Sequence, residues 1–175
     1  MKINDKPAKF QITSTLGPIL IVGGPEKDYI RDLEFYYYKS LNVFMPIMSL
    51  NHTHNWLPGY PWNFVCTLHP ADSPIPDNSH VIGLEVGSQR HHRVDEVLMI
   101  DPLHGSVALL GVIAAIKKGY SPVYVLGVYL DKYPYNSGDI HKNWKHWYPY
   151  MEDHVVPLDS KGFLKDLFGS KNFTV

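Results

Sequence analysis

A single cysteine, Cys66, in a chain of 175 residues excludes an internal disulfide and any cysteine-rich metal site, and it suits a reducing compartment. Long hydrophobic runs are missing too. No segment approaches the roughly 18 consecutive apolar residues of a membrane span, and the first residues lack the basic-then-apolar pattern of a secretory signal. The expected location is therefore cytoplasmic, with no membrane span. Neither sign of charge dominates: 16 basic and 17 acidic side chains leave a formal charge of -1, so no global field draws the chain toward nucleic acid or an anionic membrane. There is no internal repeat, no low-complexity tract, no full Gly-x-Gly-x-x-Gly fingerprint and no Lys-bearing P-loop.

What is present suffices for one substantial core. An apolar content of 45% over residues 1–175 predicts one domain rather than two independent catalytic ones. Aromatic residues make up 13%, including 12 tyrosines and 4 tryptophans, and many fall within 29–38 and 129–150. Such clusters can pack in a core, stack on a base or form the interface of a homo-oligomer.

Two stretches organise the reading. Ile19-Leu20-Ile21-Val22 is a continuous apolar run closed by Gly23-Gly24-Pro25, the pattern of a buried parallel strand that ends in a sharp turn. In the second half, Asp101-Pro102-Leu103-His104-Gly105-Ser106-Val107-Ala108 opens the clearest helix of the chain, from about 106 to 118, with Lys117 and Lys118 at its end and Gly119 as terminator. Further strands are expected over 43–50, 63–68, 81–85, 96–100, 122–128 and 155–158, and further helices over 26–39 and 161–168. Residues 129–151 read as a polar and aromatic functional loop with a short helix at 142–148. The alternation implies an α/β domain with a mostly parallel sheet.

Backbone N–H groups at a strand-to-helix turn can approach a phosphate, and ligands of open α/β sheets collect outside the carboxyl ends of the strands. Gly23, Gly24, Gly105 and Ser106 are accordingly candidates for holding a nucleotide. Each has a second use: the glycines can serve the turn alone, and Ser106 can simply cap its helix. Asn51 and His69 follow strand ends and are candidates for the same binding rim, in company with His52 and His54. His52-x-His54 lacks a spaced carboxylate or cysteine partner, so no metal site is assigned. Cys66 lies in the apolar run Phe64-Val65-Cys66 and reads as a buried structural thiol. The late cluster contains Tyr133, Tyr135, His141, Lys142, Trp144, Lys145, His146, Trp147 and Tyr148. Its tyrosines can hold the phosphate of a leaving nucleotide, and His141 or His146 can accept a proton from an attacking hydroxyl.

Taken together, Ile19-Leu20-Ile21-Val22-Gly23-Gly24-Pro25, Val65-Cys66-Thr67-Leu68-His69-Pro70, Gly105-Ser106 before a small-residue helix, and Gly119-Tyr120-Ser121-Pro122-Val123-Tyr124-Val125-Leu126-Gly127-Val128 carry a resemblance. From about residue 18 to 169 the chain resembles a phage and bacterial branch related to the sialyltransferase-like and 6-hydroxymethylpterin diphosphokinase MptE-like Rossmann families. The resemblance implies a single three-layer Rossmann-like domain with a nucleotide at the carboxyl edge of its sheet. In the sialyltransferases it implies a CMP-sugar donor used without a catalytic metal, with tyrosines on the phosphate and a following histidine as base. Tyr133 or Tyr135 and His141 or His146 match those roles. In the pterin branch it implies ATP and magnesium for diphosphate transfer. Three positions depart from the relatives: Glu26 stands where Gly-Pro-Ser is common, Ser106-Val107-Ala108 replaces Ser-Ser-Gly or Ser-Gly, and the later strand ends Gly127-Val128-Tyr129-Leu130-Asp131. The leading expectation is transfer of a glycosyl group from a nucleotide sugar to a hydroxyl. The competing ones are a nucleotide-binding or assembly protein without turnover, and a pterin-type diphosphotransferase.

Overall fold

Strand β1, Ile19–Val22, is buried at all four positions, as a continuous apolar run in a sheet covered on both faces should be. It sits inside a seven-stranded sheet built from β2 (Ile47–Leu50), β3 (Phe64–Thr67), β4 (His80–Gly83), β5 (Glu96–Val97), β6 (Val123–Leu126) and β7 (Val155–Pro157), in the order β5-β4-β3-β2-β1-β6-β7. Every neighbouring pair is parallel. The computed structural model describes residues 15–23, 45–51, 53–56, 59–68, 75–84, 93–103, 106–131 and 137–171. Four helices lie among them: α1 (Thr53–Trp56), α2 (Val107–Lys118), α3 (Gly138–Met151) and α4 (Phe163–Phe168). This is a Rossmann-like α/β architecture, and the helix expected over 26–39 lies outside the described residues.

Side chains alternate across the sheet. Ile19 and Ile21 join Met48, Leu50, Cys66 and Ile82 in the larger core, on the face covered by α2, α3 and α4. Leu20 and Val22 join Ile47, Tyr124 and Leu126 on the other face, with Met45 and Trp62 against them. Helix α2 is buried without a break from Ala108 to Ile116, so it is a core helix rather than a one-sided amphipathic one. Its Gly111 is the point of closest approach to the sheet, because a Cβ there would stand 2.9 Å from Leu50 Cδ2 and 3.2 Å from the Met48 sulfur. The caps are those expected: the Ser106 hydroxyl accepts from the Leu109 N–H, and Gly119 ends the helix at φ 98°.

Several expected boundaries shorten. The strand expected over 43–50 begins at Ile47, after Pro46, whose carbonyl still accepts the Leu20 N–H at 3.0 Å. The one over 96–100 is only Glu96–Val97 at the edge. The larger difference is at 129–151, where the functional loop gives way to the helix Gly138–Met151. Ile140, Asn143, Trp144, Trp147 and Met151 share its buried face, so two tryptophans supply an apolar stripe on an otherwise polar segment. Among the described residues, no helix is long and apolar enough to cross a membrane.

Candidate functional site

The chain lays down β1 through β5 outward in one direction, then returns along α2 to place β6 on the free side of β1. That reversal makes the carboxyl ends of β1 and β6 a topological switch point, the position at which open parallel sheets receive ligands. The amino end of α2 lies on this same edge: Val107 O is 3.9 Å from the thiol of Cys66 in β3, whereas Lys118 at the other end reaches Glu96 and Phe64 at the opposite edge. Both corners singled out in the sequence therefore share one edge of the sheet.

At the first corner, the Gly23 N–H donates to Leu126 O at 2.9 Å and ties β1 to β6. A Cβ at Gly23 would stand 2.7 Å from Val128 Cγ2 and 2.9 Å from Leu50 Cδ1, so close approach is what requires glycine here. Donors for a ligand then fall to the residues that follow, and Gly24 lies outside the described residues. At the second corner, Ser106 is buried and its hydroxyl accepts from both the Leu109 N–H at 3.3 Å and the Trp144 indole N–H at 3.2 Å. Gly105 lies outside the described residues, as do His69, Tyr133 and Tyr135.

Asn51 follows β2 with φ 48°, a left-handed conformation that asparagine tolerates better than most side chains. Its N–H donates to Cys66 O at 2.8 Å, and its amide oxygen accepts from the Leu68 N–H at 3.2 Å and the Thr67 hydroxyl at 3.4 Å. Asn51 thereby fixes the carboxyl ends of β2 and β3 relative to each other. Just behind it, the buried Ser49 hydroxyl accepts the His54 N–H at 3.0 Å and stands 3.1 Å from His54 Nδ1.

The two candidate bases part company on α3. His141, in the first turns, donates from Nε2 to Leu130 O at 2.8 Å and stacks on Phe163 at 3.9 Å with rings 1° apart. The donation fixes a proton on Nε2, so that in the neutral ring Nδ1 is the nitrogen with the lone pair. His146 is exposed and meets only the edge of Trp147, at 5.5 Å, among the described residues. At about 100° per residue the two rings leave the helix about 140° apart, so they do not serve one position together.

Two residues without an assigned role in the sequence complete this edge. Gly127, directly after β6, has φ 75°, and the carboxylate of Asp159 accepts its N–H at 3.0 and 2.9 Å through the two oxygens. The Val128 N–H adds a third contact at 3.3 Å. The only advance signal was an acid just beyond a short apolar run, Val155-Val156-Pro157-Leu158-Asp159. Cys66 is buried, and burial first, with the Glu96 charge adding, pushes its thiol far up. Among the described residues, no three His, Cys, Asp or Glu side chains converge as a metal-ligand group. Compared with protein-family models, curated proteins and solved structures, the chain matches none of them.

Proposed function

We propose that this protein binds a nucleotide or nucleotide sugar at the carboxyl ends of β1 and β6 and transfers the glycosyl group to a hydroxyl acceptor. The observation that carries this reading is the reversal of strand order at β1 and β6, which brings the carboxyl ends of these two neighbouring strands to a topological switch point. The quoted resemblance to sialyltransferase-like sequences favours a nucleotide sugar as donor. In the transfer, the acceptor oxygen forms a bond to the anomeric carbon while the bond from that carbon to the phosphate oxygen breaks. The nucleotide leaves with the electron pair, and Nδ1 of His141 takes the acceptor proton. His141 suits the role better than His146, because its ring is held by the carbonyl of Leu130, shortly beyond the end of β6, whereas His146 is exposed.

A second reading, nucleotide binding without turnover, is favoured by the same histidine. Its hydrogen bond and its stack on Phe163 are sufficient to explain His141 as an anchor between α3 and α4. A thermal-shift screen of cytidine, uridine, guanosine and adenosine nucleotides, their sugar conjugates, and ATP with magnesium tests the site. A ligand at about 100 times its Kd stabilises by about 2.7 kcal/mol, well within reach of the assay. If none raises Tm, the nucleotide site is wrong. If a nucleotide sugar binds, transfer to hydroxyl acceptors that is abolished in His141→Gln with binding retained supports the transferase. Binding with no turnover supports the second reading, and stabilisation that needs ATP with magnesium points to diphosphate transfer.

A further inference from the structure

The corner at the end of β6 already holds an anion. Consecutive N–H groups of Gly127 and Val128 converge with Gly127 in the left-handed region, the concave donor arrangement that backbone uses to bind phosphate or carboxylate. Both oxygens of Asp159 are engaged there, and the residue is only 6% exposed. Its position is not loose: Leu158, beside it, donates its N–H to Val125 O at 2.8 Å and so extends the pairing of β7 with β6. The carboxylate arrives with its backbone already registered against the strand whose end it closes.

We propose that Asp159 is a built-in occupant of an oxyanion cradle formed by Gly127 and Val128. In the native chain it closes this corner to the phosphate of any ligand, and removing it exposes a site for a small oxyanion. Buried backbone donors are costly to leave unmade, so an emptied cradle has a driving force to recruit a replacement. This stands independently of whether a nucleotide binds beside β1, since it concerns donors that no nucleotide is asked to use. For a ligand at the switch point it means that the charged group is received on the β1 side.

Asp159→Ala empties the cradle, whereas Asp159→Asn keeps it filled with a neutral side chain. Asp159→Ala should lower Tm by about 5 °C or more. Formate, acetate or inorganic phosphate should then restore at least about half of the loss in a saturable way, while wild type and Asp159→Asn gain no more than they do from chloride at equal ionic strength. In 15N-labelled Asp159→Ala, the Gly127 and Val128 amide signals should move with the added anion, and in wild type they should stay still. If Asp159→Ala unfolds in plain buffer, it should refold in the presence of one of these anions. Failure to refold in any of them, equal rescue of Asp159→Asn, or a phosphate-dependent shift of Gly127 and Val128 in wild type overturns the proposal.

Discussion

Trp144 donates its indole N–H to the hydroxyl of Ser106, which at the same time caps α2 through Leu109. One oxygen thus joins the start of α2 to the middle of α3. Ser106→Ala should cost about 1–3 kcal/mol, because it loses the cap and leaves a buried indole N–H without its partner. Trp144→Phe removes the donor and also leaves a cavity at a fully buried position, so it should cost at least as much by urea unfolding, and the double variant should show coupling of at least about 0.5 kcal/mol. With the hydroxyl engaged inside the protein, the folded Ser106→Ala variant should keep any nucleotide affinity within about twofold; a larger loss by calorimetry would place the hydroxyl on the ligand.

Gly23→Ala should destabilise by about 1–3 kcal/mol, since the added methyl meets Val128 and Leu50 well inside van der Waals contact. Both obstructions are side-chain tips. Trimming Val128 to Ala in the Gly23→Ala background should therefore cost less than Val128→Ala does alone, a sign that thermal melts of the four proteins can read.

His141→Ala should lower stability by about 1–2 kcal/mol through loss of the Leu130 hydrogen bond and the Phe163 stack. The exposed His146→Ala should stay within about 0.5 kcal/mol of wild type. Equal losses at both positions would deny His141 its anchoring role.

Acid should weaken the opposite edge of the sheet. Burial acts to raise the Glu96 carboxyl, but the hydrogen bonds and charges of Lys118 and His80 outweigh it and hold the group below its ordinary value of 4.5. A depressed folded-state value means that the stabilisation is complete above the unfolded value and is lost as pH falls through the folded one. Glu96→Gln should therefore be less stable than wild type at pH 7, with the two curves converging as pH drops below about 4.5.

Cys66, buried with its thiol pushed up, should resist alkylation by iodoacetamide in the native protein and react once urea unfolds the chain. Mass spectrometry across the transition should show labelling that tracks loss of structure, with no earlier phase.

Where local chemistry decides structure, the sequence was readable. Ile19-Leu20-Ile21-Val22 became the central strand, and Ser106 and Gly119 became the two caps of α2, because runs and caps depend on immediate neighbours. Helix α3 was harder: Lys142, Lys145, His146 and Pro149 mask a stripe whose apolar character rests on Ile140, Trp144, Trp147 and Met151. Tryptophans give no hint from composition alone of whether they face a ligand, a partner or a core. The site was less legible still. The hydroxyl of Ser106 and the N–H of Gly23 find partners far along the chain, in Trp144 and Leu126, and no spacing rule reports such pairings. Asp159 meets Gly127 across 32 positions, which is why neither carried a visible role.

That separation also orders events during synthesis. A growing chain that has reached β6 holds two donor groups at its newest corner with nothing yet made to quiet them, and must extend through α3 and β7 before residue 159 can dock. A chain cut short after β6 therefore lacks the acceptor that both N–H groups have in the complete fold.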